Sequence, residues 1–229
     1  MSHYCLIPGA GGAAWYWHRV VPLLEAAGHT AVALELPADD PGAGLPEYVE
    51  IGLSACAYED DVVVVGQSLG GFTAVMLADH LIRAHRPPRA LVMLNAMIPA
   101  PGETPGQWWE AVGQGAAMVA AARAGGWSTE YDDQTYFFHD VDPAVVEAGS
   151  EYQREEVDAV FGSVCDVAAW PDVPTRVLAG VDDRFFPWEL EQRLARERAG
   201  VEAEALPGGH LLSLSQPEAL VASLLRGSP

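Results

Sequence analysis

Short, nearly uninterrupted apolar runs alternate with helical patterns through the first hundred residues, and this alternation constrains the fold more than any other feature. Residues 4–8, 30–36, 61–65 and 90–94 are rich in β-branched and aliphatic side chains and lack the in-out rhythm of a half-exposed strand. Such runs suit strands covered on both faces, which points to a parallel sheet. Residues 17–27, 46–57 and 69–85 read as the intervening helices, the last with Phe72, Val75, Met76, Leu81 and Ile82 along one stripe. The rhythm stops at Asn95. Residues 97–170 are rich in aromatics, carry small-residue helix signals at 107–124 and show no clear strand. Strands at 175–179 and 201–206 then return, with a helix at 188–198 between them. A final helix follows, its start marked by the capping-box pattern Ser215-Gln216-Pro217-Glu218. The expectation is one α/β domain over residues 1–229: a mostly parallel sheet of about six strands flanked by helices, with a helical lid inserted after the fourth strand.

Composition narrows the function. Twelve basic residues, all arginine, stand against 32 acidic ones, for a net charge of −20. That charge repels phosphate backbones and anionic lipid, so neither nucleic acid nor a membrane is expected as partner, and polyanionic substrates are disfavoured. Without lysine the chain has no Schiff-base amine for pyridoxal phosphate and no phosphate-binding P-loop lysine. Cys5, Cys56 and Cys165 are widely spaced and form no CxxC pair, which supports neither a disulfide scaffold nor a zinc site. With no signal-like leader and no apolar stretch of 18 residues, the expected location is the cytoplasm.

Three motifs carry chemistry, each placed at the end of an expected strand. Gly66-Gln67-Ser68-Leu69-Gly70-Gly71 joins a strand to a helix, the context of a nucleophile elbow, in which small residues keep atoms clear of a serine held on a tight turn. The alternative is an ordinary glycine-rich turn with Ser68 as a cap. Gly180-Val181-Asp182-Asp183-Arg184-Phe185-Phe186-Pro187 and Gly208-Gly209-His210 follow the next two strands. Strand ends along one edge of a parallel sheet are where sites assemble. The order serine, acid, histidine is the one known for hydrolases of this architecture.

Together with the opening Ile7-Pro8-Gly9-Ala10-Gly11-Gly12 and Trp15-Tyr16-Trp17, these motifs resemble the α/β-hydrolase superfamily, in its small serine esterase and hydroxynitrile-lyase-like branch. The likeness covers nearly the whole chain except the lid. It implies Ser68 as nucleophile, His210 as base and Asp183 as the acid. The family spacing, three residues after the loop glycine and four before the proline, selects Asp183 over Asp182. It also implies backbone N–H groups of Ala10 and Leu69 as oxyanion donors, with no metal or organic cofactor. The family's other acid position is taken by Asn95, which cannot serve as a carboxylate. Where relatives often carry His-Gly before the oxyanion residue, this chain has Pro8-Gly9, so a bracing histidine is missing.

The implied activity is cleavage of a small, fairly apolar carboxylic ester, thioester or lactone through an acyl-enzyme. One rival is a lyase using the same Ser-His pair as acid and base, disfavoured by the missing lysine; another is a non-catalytic ligand receptor. Trp108, Trp109, Phe137, Phe138 and Phe186 are candidates for an apolar substrate pocket, with packing as the alternative. Gly9-Ala10-Gly11-Gly12-Ala13-Ala14 with Glu35 also fits a relaxed dinucleotide fingerprint, but Trp15, Tyr16 and Trp17 crowd the position where a pyrophosphate needs open backbone. His80 and His85, five apart, do not share a helix face as a metal pair. His139 reads as packing before substrate contact. Runs such as Glu155-Glu156 read as solvated surface.

Overall fold

The computed structural model describes residues 1–226. Its sheet has six parallel strands: β1 (His3–Ile7), β2 (Thr30–Ala33), β3 (Val62–Ser68), β4 (Ala90–Ala96), β5 (Thr175–Gly180) and β6 (Ala203–Leu206). Their order is β2-β1-β3-β4-β5-β6. The chain runs from β1 to one side, returns past it to β3, and then steps steadily the other way. The turn-around therefore lies between β1 and β3, and the loops leaving their carboxyl ends flank one crevice.

Helices cover both faces. In the first half these are α1 (Val21–Ala26), α2 (Leu45–Ala55) and α3 (Gly70–Arg83). The segment between β4 and β5 is helical: α4 (Pro105–Val112), α5 (Gln114–Gly125), α6 (Asp133–Tyr136), α7 (Pro143–Gly149) and α8 (Asp158–Gly162). After β5 come α9 (Trp188–Leu194), α10 (Leu212–Ser215) and α11 (Pro217–Arg226). Because β1 and β3 are buried on both faces, their alternate residues feed two cores. Cys5, Ile7, Val62 and Val64 pack with α2, α3 and α9, whereas Tyr4, Leu6, Val63 and Val65 pack with α1 and α11. A third, smaller cluster joins Phe138 and Val141 of the insert to Leu211 and Leu214, with Trp15 and Tyr16 against it. None of the described helices is long and apolar enough to cross a membrane.

Several boundaries shift for local reasons. The expected first helix begins four residues late, at Val21, after a separate 3-10 turn at Ala14–Trp17. The 107–124 helix is two helices, broken where Gly113 takes φ +68. Strand β2 stops at Ala33 because the chain then turns toward the first loop, with the Leu36 N–H donating to Gly12 O at 2.8 Å. Helix α9 is shorter than 188–198 because it passes into a π turn, Ala195–Ala199. The expected Ser215 cap is corrected: Ser215 ends α10, its buried hydroxyl has no partner, and Leu220 N–H reaches Gln216 O as Pro217 opens α11.

Candidate active site

Ser68 is the last residue of β3 and takes φ +53, a left-handed conformation that costs a serine energy and persists only where the surroundings enforce it. Enforcement comes from close backbone approach. A Cβ on Gly66 would lie 2.6 Å from the Gly70 carbonyl oxygen, and one on Gly70 would lie 2.4 Å from that of Pro8. Only glycine fits at either place, so the strand can turn directly into α3 with the Ser68 side chain at the apex.

His210 follows β6 and Asp183 follows β5. The Ser68 hydroxyl lies 3.0 Å from His210 Nε2, and His210 Nδ1–H donates to Asp183 Oδ2 at 2.8 Å. The other carboxylate oxygen, Oδ1, accepts the N–H groups of Phe185 and Phe186, both at 2.8 Å. Asp183 and His210 are almost wholly buried, so their charges meet little screening by water. Rings of Phe137, Phe185 and Phe186 surround the imidazole at centroid distances of 5.0, 5.4 and 5.0 Å. Asp182, by contrast, faces solvent.

Asn95 has a role that sequence reasoning missed. The pairing of β3 with β4 shifts between Gln67 and Ser68, leaving Asn95 in a bulge with φ +40. From there its Oδ1 accepts the Gly180 N–H at 2.7 Å, while its Nδ2 donates to the carbonyls of Gly209 and His210, both at 2.9 Å. One amide thus ties the acid loop to the histidine loop. A carboxylate there would oppose two carbonyl oxygens, which explains why this position suits an amide and not an acid. Its signal in the sequence was its position directly after the apolar run 90–94.

Ala10 lies in the loop after β1 and lines the same cavity as Ser68, with Leu69 directly after the serine. The loop's bracing comes from elsewhere than a histidine: Gln67 Oε1 accepts the Gly9 N–H at 3.2 Å, and Glu156 Oε2 accepts the Gly11 N–H at 2.9 Å. Glu156 thereby corrects the reading of Glu155-Glu156 as solvated surface; Glu155 is exposed, Glu156 half-buried. Burial pushes the Glu156 carboxyl up from its usual value, with bonds from Tyr48 and Gly11 and the charge of Arg154 opposing the rise. Glu35 is likewise engaged locally, accepting the Ala14 N–H at 2.7 Å, and the loop leads into a 3-10 turn where a dinucleotide fold would start its helix.

The cavity at Ser68 is small, about 80 Å³, and its walls include Tyr16, Phe137, Phe138, Leu211 and Gln67. Phe137 and Phe138 are where the sequence suggested. Trp108, Trp109 and Phe186 are not on its wall. Trp108 is fully buried with its indole N–H on Ile98 O at 3.0 Å, and its ring packs on Trp109 and Phe186, because α4 lies against the hydrophobic core and away from the serine. Tyr16, noted only as part of Trp15-Tyr16-Trp17, and Leu211, next to His210, were not expected on the wall. His139 lines a separate cavity of about 560 Å³ on the other side of the acid loop, with Asp140, Asp182 and Arg184. Burial there lowers its pKa. Among the described residues no group of His, Cys, Asp or Glu could hold a metal ion.

This architecture and geometry agree with comparisons to known proteins. The model of the alpha/beta hydrolase family matches residues 6–223, so the chain belongs to that family. It is similar to methylesterase 9 of Arabidopsis thaliana, 33% identical over 89 residues, which is 34% of this chain and 35% of that protein. It is also similar to the alpha-hydroxynitrile lyase of Arabidopsis thaliana, 34% identical over 108 residues, 42% of this chain and 40% of the lyase. The matched stretch thus spans about a third to two-fifths of the curated relatives' length. In fold the chain resembles a pyrethroid hydrolase from Sphingobium faniae JZ-2, with a TM-score of 0.76 at 21% identity, covering 98% of this chain and 96% of that one.

Proposed function

We propose that the protein is a carboxylesterase-like serine hydrolase acting on small, fairly apolar esters through an acyl-enzyme. The observation that carries this reading is the continuous line of hydrogen bonds from the Ser68 hydroxyl through His210 to Asp183. In the proposed cycle Ser68 Oγ attacks the ester carbonyl as its proton passes to His210 Nε2, and Asp183 holds the imidazole in the required tautomer and stabilises the imidazolium. The Ala10 and Leu69 N–H groups take the charge that develops on the carbonyl oxygen, each worth about 10²- to 10³-fold in rate. His210 returns the proton to the departing alkoxide; a water, deprotonated by the same imidazole, then releases the acid. The tight cavity and its aromatic walls suit a short acyl group. The net charge of −20 argues for a neutral small molecule over nucleic acid, lipid surfaces or polyanionic thioesters. Three buried free thiols suit a reducing compartment, and we place the enzyme in the cytoplasm.

A second reading is favoured by the likeness to a hydroxynitrile lyase: the same Ser-His pair would shuttle a proton without any acyl-enzyme. The test is turnover on p-nitrophenyl acetate, butyrate and octanoate beside cleavage of an aromatic cyanohydrin. The esterase reading expects acetate to be the best ester, with activity reduced about 10⁴-fold or more by Ser68→Ala and about 10⁴-fold by Asp183→Asn. Asp182→Asn should stay within about threefold. Cyanohydrin cleavage with inert esters would establish the lyase reading; undiminished ester turnover by Ser68→Ala would remove the serine from the mechanism.

A further inference from the structure

The loop that carries Ala10 is held in place by the far end of the helical insert. Gly11, one peptide beyond Ala10, has both its backbone polar groups engaged by two side chains only two residues apart. Its N–H donates to Glu156 Oε2 at 2.9 Å, and its carbonyl accepts Arg154 Nε–H at 3.1 Å. Each of those side chains is itself secured. Glu156 Oε1 accepts the Tyr48 hydroxyl of α2 at 2.5 Å. Arg154 pairs with Glu35 Oε1 at 2.5 Å, and Glu35 Oε2 accepts the Ala14 N–H on the far side of the same loop. The Arg154 backbone also closes down on the loop: a Cβ on Gly11, which takes φ +82, would lie 2.8 Å from the Arg154 carbonyl oxygen. Val157 N–H on Ala38 O, 2.9 Å, anchors this end of the insert to the body of the protein.

An oxyanion donor works only when aimed within a few tenths of an ångström at the place where charge will develop, and a loop is a poor support unless something rigid grips it. Here the grip comes from a different segment, the far end of the helical insert. We infer that Arg154 and Glu156 are positioning residues for the reaction, clamping the Gly11 peptide so that the adjacent Ala10 N–H is aimed at the oxyanion. The inference rests on the esterase reading above and deepens it by making the insert a working part of the oxyanion hole, where a lid would only cover the site.

The experiment compares an oxoester with its thionoester, p-nitrophenyl acetate and O-p-nitrophenyl thioacetate. Turnover is expressed per active site titrated with a fluorophosphonate, so that any misfolded fraction is excluded. A hole aimed at a compact oxygen anion rewards the oxoester far more than the larger, more weakly hydrogen-bonding sulfur anion. Glu156→Leu should lower oxoester kcat about 10- to 100-fold with KM within about twofold, while thionoester kcat changes much less, so the ratio between them collapses. Glu156→Gln keeps an acceptor for the Gly11 N–H and should recover most of the loss. Arg154→Gln should act in the same direction more weakly, and it supplies the comparison if the Leu variant does not fold. An equal fall for both esters, or an unchanged kcat per titrated site, would mean that these residues only hold the insert down and would overturn the inference. Failure of the esterase reading looks different: ester turnover that survives Ser68→Ala in the parent background.

Discussion

The two loops that meet at Ser68 differ in what holds them. The elbow after β3 is fixed by its own backbone: Gly66 and Gly70 sit where no Cβ fits, and Met97 N–H on Ser68 O, 2.9 Å, ties it to the end of β4. In the loop after β1 the glycines are crowded too, Gly11 by the Arg154 carbonyl and Gly12 by that of Leu36, but its peptide groups are gripped by long side chains reaching in from elsewhere, namely Gln67, Glu35, Arg154 and Glu156. The histidine loop belongs with the second kind, since Asn95 holds two of its carbonyls and Asp140 Oδ2 accepts the Gly209 N–H at 2.6 Å. A backbone-held element leaves a short local pattern in the sequence and tolerates almost no change. Side chains that reach in from far along the chain leave no mark beside the loop they hold, and their loss should act by degrees.

That contrast can be broken at its rigid end first. Gly70→Ala adds one methyl group where the Pro8 carbonyl leaves no room and no flexible side chain can yield, so the expected loss is at least about 3 kcal/mol of stability, read from the urea midpoint. A shift under about 1 kcal/mol would show that the elbow is less rigid than its contacts imply. At the side-chain-held end, Asn95→Ala strands the Gly180 N–H and weakens the support of two carbonyls. It should cost about 2 kcal/mol and lower kcat about tenfold while leaving the fold intact by circular dichroism. Wild-type kcat in that variant would detach the amide from the alignment of His210.

A last test concerns Glu191 of α9, which is wholly buried. Burial, reinforced by the charge of Asp183, pushes its carboxyl well above the ordinary glutamate value of 4.5. The folded chain therefore keeps a proton that the unfolded chain releases, and the stability this group contributes is fully present below about pH 4.5 and declines as pH rises toward its folded value. Glu191→Gln has no such decline. Its stability relative to the parent should improve steadily as pH rises from 4.5 to 8, and a gap that stays constant with pH would contradict the assignment.

The same contrast explains what could be read in advance. The strands were visible because Val62 to Val65 and Leu91 to Leu94 are continuous apolar runs that only a doubly covered strand accommodates. Ser68, Asp183 and His210 stood out because each stands at the end of an expected strand beside glycines, and the structure brings them into one hydrogen-bonded line. What stayed hidden depends on partners far along the chain. Glu156 reaches Gly11 across 145 residues, and nothing beside it distinguishes it from its exposed neighbour Glu155. The aromatic residues were equally opaque: rings suited to a pocket are also suited to a core, and Trp108 of the insert and Phe186 of the acid loop went to the core while Phe137 and Phe138 reached the cavity.

Reaction with a fluorophosphonate, followed by peptide mass mapping, tests the central claim most directly. An activated Ser68 should take up one phosphonyl group per chain on the peptide that contains it, at a rate lowered by about three orders of magnitude or more in His210→Ala and with no labelling in Ser68→Ala. Labelling at another residue, or equal rates with and without His210, would contradict it.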